Sequence, residues 1–365
     1  MRPKWITPKG GAAFLPCQIK SILEKAVFSP SGDNCQPWVF KWDGDVLHIY
    51  NDESRSRHPL DPHGITSIVT LGCVIESITI AATDYNLKTN YTLNHQLPAT
   101  TESWAEIRFL KEEIVPDELS QYILKRTTDR RSYHGGKSPI NIIDDINSQR
   151  NEGNKARLHI ASSFSDELVR YIVDSEGLLV DHSNALVEVL KWVRVSIKSA
   201  RNTGDGMSWR NMQVKYWEYP LIILFKNFPW TINLFRPLFK SQLRIRAKKQ
   251  LLSSAALICV SIPKNGNSIE NAVEAGRLMM RAWLSMTKIG YGSQPLTFSS
   301  MPILYKYQNV LDDFFKRKIE HITKGEDILQ SAFSLSEERL PIWVIRTGFS
   351  TELPENERTF RRHLT

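Results

Sequence analysis

Two short stretches hold the residue types best able to do chemistry. The first is Ser29-Pro30-Ser31-Gly32-Asp33-Asn34-Cys35-Gln36-Pro37-Trp38, which offers hydroxyls, side-chain amides and backbone N–H groups. Such a loop suits the polar edges of a planar heterocycle. It serves equally well as a helix-terminating turn with an Asx-type cap. The second stretch places Arg126, Thr128 and Arg130 at alternate positions. Guanidinium groups give a phosphate dianion bidentate, charge-assisted hydrogen bonds, so a phosphate-bearing small molecule is the ligand this spacing suggests. A solvated basic turn balanced by Asp129 is the alternative. A further basic cluster at Arg358, Arg361 and Arg362 is also a candidate for phosphate.

These residues need elements to hold them. Apolar residues at Ile19, Ile22, Leu23, Ala26 and Val27 predict a helix over 18–28, ending in the turn formers that open the first loop. Trp38–Trp42 and Val46–Tyr50 alternate around Asp43-Gly44 and predict a hairpin. Ile65–Tyr85 reads as a long helix buried on most sides, followed by strands at 92–93 and 105–110. A short helix over 117–126 would deliver Arg126. In the second half, helices are predicted over 141–149, 165–175, 184–199 and 269–289, and strands over 156–161, 255–262 and 341–347. The stretch 204–249 is irregular and aromatic-rich, and the last dozen residues form a charged tail.

Gly72–Leu87 aligns without gaps on Gly276–Tyr291. Gly72 falls on Gly276, Thr83 on Thr287, and Leu71, Val74, Ile75, Ile78 and Ile80 fall on small or apolar partners. A duplicated unit explains this; chance likeness between two buried helices is the alternative.

Serine-proline-serine, then asparagine, then glutamine-proline-tryptophan before a strand resembles the flavin-contacting loop of FMN-dependent nitroreductases. The arginine signature of that family resembles Arg126, Thr128 and Arg130 at a helix end. In ordinary members the arginines come first and the site is completed across a homodimer, whereas here the order is reversed. A fused pseudo-dimer with one surviving composite site accounts for the reversal and gives the internal repeat a reason. The chain therefore resembles the tandem branch of the family, built of two degenerate units. Asn51-Asp52-Glu53-Ser54-Arg55 with Asp61-Pro62, Leu97-Pro98 after the Gly72 helix, and Glu274-Ala275-Gly276 are further matches. The loop Gly290–Leu296 resembles the segment that the family places beside flavin N5. Arg346-Thr347-Gly348 resembles its closing strand, and Arg358 its last phosphate-side arginine, with Arg361 or Arg362 as substitutes because the register of the tail is open. The match covers most of 15–140 and 255–360 and is poor over 200–250.

The resemblance implies an α+β fold, a central mostly antiparallel sheet flanked by helices and duplicated as an intrachain pseudo-dimer. The halves would be 1–120 and 121–365, with an aromatic, basic insertion at about 200–250. It implies one FMN per chain, held by Ser29, Pro30, Ser31, Asn34 and Gln36 at the ring edges. Arg126, Thr128, Arg130 and Arg358 would hold the phosphate side, with Arg346 nearby, and Gln294, Pro295 and Leu296 would supply a donor to N5. No side chain stands out as an obligatory acid or base, as expected when a cofactor carries the chemistry. The implied activity is oxidoreduction between NADH or NADPH and an organic small molecule. Storage of FMN without turnover is the alternative.

Composition bounds the remaining classes. The chain has 365 residues, 41% hydrophobic and 24% charged, enough for a full core and about two domains. The net charge of +8 permits nucleic acid, but no recognised binding motif is present. Cys17, Cys35, Cys73 and Cys259 lack metal-type spacing and suggest no disulfide framework, so no metal and a cytoplasmic setting are expected. The N-terminus lacks the apolar run of a signal peptide. The protein is expected to be soluble, as a monomer or weak homodimer. The aromatic stretch is read as a lid over the ring, with a packed helical insertion or a peripheral membrane surface as alternatives.

Overall fold

A computed structural model describes residues 16–61, 63–149, 155–265 and 269–364. The N-terminal segment read for targeting, and Pro62 of the Asp61-Pro62 match, lie outside the described residues. Helix α1 (Cys17–Ala26) buries Ile19, Ile22, Leu23 and Ala26 along one stripe. A loop with a short 3-10 turn at Gly32–Asn34 follows. Strands β1 (Trp38–Trp42) and β2 (Val46–Asn51) pair antiparallel, with Trp38 opposite Asn51 and Trp42 opposite Leu47. Between them the Asp43 carboxylate accepts from the N–H groups of Asp45 and Val46, which fixes the turn. The short α2 (Glu53–Ser56) leads to α3 (Ile65–Ala82), whose first turn donates two N–H groups, from Thr66 and Ser67, to the Asp61 carboxylate at 3.0 Å. Strands β3 (Leu87–Leu93) and β4 (Ala105–Lys111) complete an antiparallel sheet in the order β1-β2-β4-β3.

The second half runs α4 (Ile140–Ser148), β5 (Arg157–Ala161), α5 (Asp166–Asp181), α6 (Ser183–Trp192), β6 (Val193–Arg194), α7 (Ile197–Thr203) and β7 (Met207–Ser208). It continues with α8 (Tyr219–Asn227), α9 (Ile232–Leu252), β8 (Ala256–Pro263), α10 (Ile269–Lys288) and β9 (Tyr291–Pro295). It closes with α11 (Met301–Tyr307), α12 (Asp313–Lys316), α13 (Ile319–Ala332) and β10 (Arg339–Phe349). Its sheet, β5-β8-β10-β9, is again four-stranded and antiparallel. The architecture is α+β, as expected, with two antiparallel sheets flanked by helices. One continuous core spans both halves.

The halves meet where α3 crosses α10. A Cβ on Gly72 would lie 2.0 Å from the carbonyl oxygen of Val273, and one on Gly276 would lie 1.8 Å from that of Val69. Only glycine permits this approach. Val69 stands three residues before Gly72, as Val273 does before Gly276, so the two helices present equivalent residues to each other. That reciprocity is what an internal two-fold requires. Beside the crossing, the buried Glu76 carboxylate pairs with Arg277 at 2.9 Å and Arg281 at 2.7 Å. Burial alone would raise its pKa, and the two guanidiniums bring it below the ordinary value. α3 with its following turn is long and apolar enough to cross a membrane, but 83% of that stretch is buried in the fold.

Four expectations need correction. The helix expected over 184–199 is two helices, because Val193-Arg194 leaves the helical path to pair in parallel with Met207-Ser208. The stretch 204–249, read as irregular, is mostly the helices α8 and α9, with a satellite core of Leu186, Leu190, Val193, Ile222, Phe225 and Ile232. The segment after α10 is an edge strand rather than a loop, since β9 pairs with β10. The helix expected over 117–126 shrinks to a 3-10 turn at Glu118–Tyr122.

Gly276→Ala is expected to destabilise the protein by about 3 kcal/mol or more, since backbone rather than a flexible side chain must move. Gly32→Ala, where nothing lies within 4 Å, is expected to change stability little. Thermal unfolding of the two variants beside the parent measures the contrast.

Candidate functional site

A cavity of about 440 Å³ lies between the loop after α1, the strand β9, helices α5 and α9, and the C-terminal tail. This size falls in the range of small-molecule and cofactor sites, roughly 300–1,000 Å³. Its first wall is the loop 30–37. Asp33, Asn34 and Gln36 all sit at positive φ, of 49°, 57° and 50°. Non-glycine residues hold that conformation only where their surroundings fix it. Here the side chains themselves do the fixing. Asn34 Nδ2 donates to the carbonyls of Gly206 (2.9 Å) and Phe360 (3.0 Å), and Gln36 Nε2 to that of Gly204 (2.9 Å). Gln36 Oε1 accepts from the backbone N–H of Arg362 at 2.9 Å. These amides, expected at a ring edge, therefore brace the loop against the turn after α7 and against the tail. Gln36 lies behind the wall. So does Ser29, fully buried, whose hydroxyl is 2.8 Å from that of Ser77 on α3. Pro30, Ser31 and Asn34 do line the cavity.

Two arginines of the cavity wall, Arg126 and Arg361, stand out. Arg126 is 2% exposed, stacks 4.5 Å from the Trp283 ring and donates through Nη2 to the Phe28 carbonyl at 2.7 Å. Its Nε and Nη1 have no partner, and neither does Nε of Arg361. No carboxylate pairs with either guanidinium among the described residues. Burial holds the Arg126 pKa down to about 10 and that of Arg361 well below its ordinary value; Arg358 lowers both further, and Arg126 also lowers Arg361. Cations whose buried N–H groups go unused are costly unless an anion joins them. Thr128 and Thr359 line the same region. Arg358, expected here, instead donates to the carbonyls of Leu124 (2.6 Å) and Lys125 (3.0 Å), outside the cavity wall. Arg361, three residues on, takes the place it was expected to fill.

Along β9, Pro295 has no N–H, and the Leu296 N–H is spent on the Val344 carbonyl at 2.8 Å. The expectation of a backbone donor at these two positions is therefore not met. The side chain of Gln294 remains: its Oε1 accepts from Arg346 Nε at 2.8 Å, which turns its unbonded Nε2 outward as a donor on the cavity wall. Arg346 itself is 1% exposed and fully engaged, stacked 4.1 Å over Tyr133 and bonded to the carbonyls of Gln250 and Arg131. It positions Gln294 rather than offering a free donor. Arg130 donates to Asn211 Oδ1 at 2.9 Å and lies near Asp33.

The sequence reading missed Glu176, Asp33 and His58. Glu176 Oε1 is buried without a hydrogen bond, on the cavity-lining side of α5 between Ile172 and Leu179. Burial raises its pKa to about 7, against opposing fields from Arg346 and Arg130. A glutamate at helical spacing among apolar residues was the readable signal. Asp33 lies 3.6 Å from His58, and burial raises its pKa while His58 and Arg130 oppose the rise. Cys35 also lines the cavity, but burial pushes its thiol up to about 12, so it is no nucleophile. Much of the remaining wall is apolar, with Leu186 and Leu190 from α6 and Ile222, Phe239 and Leu243 from the insertion. No group of His, Cys, Asp and Glu able to hold a metal occurs among the described residues.

No family model and no curated protein matches the chain. Solved structures are similar to it. A nitroreductase with bound FMN from Desulfitobacterium hafniense is 11% identical, with 69% of this chain and 95% of that one covered at a TM-score of 0.37. The FMN-dependent nitroreductase NfnB from Mycobacterium smegmatis, in complex with NADPH, is 10% identical, covering 64% and 88% at 0.35. A protein from Anabaena variabilis described as a candidate nitroreductase is 10% identical, covering 91% and 87% at 0.42. Likenesses this distant carry no argument about what this chain does, and its own residues must supply one.

Because Glu176 binds its proton more tightly folded than unfolded, its contribution to stability is full below the unfolded pKa and lost as pH rises toward about 7. Glu176→Gln is therefore expected to raise the melting temperature at pH 8 and to change it little at pH 4.5. Melting curves across that range check the sign.

Proposed function

We propose that this cavity binds one FMN and that the chain is an FMN-dependent oxidoreductase with NADH or NADPH as donor. The observation that carries the reading is the pair Arg126, buried, and Arg361, half-buried, with no carboxylate partner among the described residues and with buried N–H groups left unused. A phosphate dianion satisfies both at once. Its ester must continue into the cavity, where Ser31, Arg130 and Gln294 Nε2 are the polar groups for a heterocycle's edge. FMN supplies reversible hydride and electron transfer when bound. The chain's own tasks are then binding, orientation and proton supply. Arg346 keeps Gln294 turned to the cavity. The apolar wall excludes water, and Glu176 holds a proton near neutral pH beside it. Asp33 with His58 forms a second titratable pair on the same cavity.

The tandem reading belongs here too. The loop comes from the first half, whereas Arg126 to Arg131 runs along β9 of the second sheet, with Asp129 N–H on the Ser293 carbonyl at 3.0 Å. The two contributions meet where Arg126 Nη2 donates to the Phe28 carbonyl at 2.7 Å, which supports one composite site made from two degenerate units within a single chain.

Purification without added flavin, followed by a visible spectrum and release of the bound flavin, is the first test. One FMN per chain is expected; a protein that is colourless and refuses added FMN would sink the reading. NAD(P)H oxidation with an artificial acceptor then separates an enzyme from a protein that only stores FMN. Arg126→Met and Arg361→Met are each expected to weaken FMN binding by about 1.5–3 kcal/mol. Both should stabilise the flavin-free protein, since each removes an uncompensated buried charge. Arg358→Met should do neither. Equilibrium FMN titration with apo-protein melting curves reads both signs.

A further inference from the structure

Helix α9 is apolar on two opposite faces. Its inner face supplies Phe239, Leu243 and Ala247 to the cavity. Its outer face carries Leu234, Leu238, Ile245 and Leu252, each more than half exposed. At 3.6 residues per turn these four fall within a stripe about 40° wide that runs nearly the length of the helix. Four exposed aromatics gather at the same hairpin. Phe228 and Trp230 lie just before α9, at 54% and 65% exposed, and Tyr216 and Trp217 just before α8, at 83% and 59%. The ion pair between Glu218 and Arg246, at 2.7 Å, ties the Trp217 end to the turn of α9 that carries Ile245.

Charge decides what such a face meets. From Ser208 to Leu252 the chain holds nine Lys or Arg and one acid, Glu218. Lys240 and Arg246 are held by Asp181 and Glu218. Lys248 and Lys249 are exposed beside the stripe, with no ion pair among the described residues. A two-fold contact with a second copy would set these cations against themselves. An anionic bilayer surface instead takes the cations at its headgroups, the tryptophans and tyrosine at its interface, and the leucines and isoleucine below.

We propose that the α8–α9 hairpin is a peripheral docking surface for anionic lipid bilayers. Its inner face walls the cavity, so the docked protein would hold that cavity one helix away from the membrane. Resting on the oxidoreductase reading, this makes an apolar, lipid-dissolved molecule the substrate class.

The test is co-sedimentation of the full chain with vesicles of phosphatidylcholine alone and of phosphatidylcholine mixed with phosphatidylglycerol. Flavin content is read on the same samples, so loss of FMN and loss of docking are seen separately. The parent is expected to pellet with the anionic vesicles, and less so as salt rises. Lys248→Ala and Lys249→Ala should each lower partitioning about fivefold, the factor set by about 1 kcal/mol per surface cation. Leu238→Asp with Ile245→Asp should abolish pelleting while circular dichroism stays unchanged. Failure of the parent to pellet with either vesicle overturns the proposal, as does undiminished pelleting of the Asp variant. A dimer in sedimentation equilibrium that the Asp variant dissolves would also overturn it, assigning the face to a second copy.

Discussion

The constraint on which the rest of the structure depends is the contact of α3 with α10 at Gly72 and Gly276. Each glycine lies against a carbonyl three residues before its counterpart, so backbone packs on backbone with no room for a methyl group. This closeness fixes how the two sheets stand relative to each other. It therefore fixes the distance between a loop following α1 and an arginine segment running along β9. Neither segment makes a site alone. The loop brings hydroxyls and a strained backbone, and the other segment brings Arg126 and Arg130. Glu76, held between Arg277 and Arg281, locks the two helices at the same level. Two buried glycines and one buried carboxylate thus set the geometry of a cavity whose walls come from both ends of the chain.

Much of this was legible in the sequence. The hairpin around Asp43-Gly44, the buried helices with aligned glycines and the arginine cluster all followed from local rules, since turn chemistry and periodicity act over a few residues. The glycine alignment acquired a physical meaning only when the crossing showed those residues in contact. Other parts were hidden for specific reasons. Asn34 and Gln36 have the chemistry of ligand-binding amides, and nothing local reveals that their partners are Gly204, Gly206, Phe360 and Arg362. The order of Arg358 and Arg361 turned on the path of an irregular tail. The edge strand β9 was invisible because Gly290-Tyr291-Gly292-Ser293 reads as a loop, and only pairing with β10 makes it a strand. α8 and α9 were obscured because α9 is apolar on two faces, which blurs the periodicity that marks a one-sided helix.

The same insertion shows how a fold with a buried polar site acquires an apolar compartment. A satellite core, in which its Ile222 and Phe225 pack with Leu186 and Leu190 of α6, lets the segment fold against the body apart from the main core. Its inner residues then close a cavity whose other end is lined by cations. The result is a mixed interior that joins the charges of Arg126 and Arg361, the hydrogen-bonding groups of Gln294 and Ser31, and the apolar side chains of Phe239 and Leu243. Glu176 stands on the apolar side, which is why its proton is hard to remove.

The tail has a consequence for the order in which the protein is assembled. Residues 360–362 supply partners to Asn34 and Gln36, and Arg361 also lines the cavity. The loop leaves the ribosome 326 residues before the carbonyl that braces Asn34. The first sheet, with α1 and α3, has every strand it needs long before that moment. A nascent chain thus carries a finished first sheet beside an unfinished pocket wall, and the arrival of residues 360–362 is the stitch that sets the loop's shape.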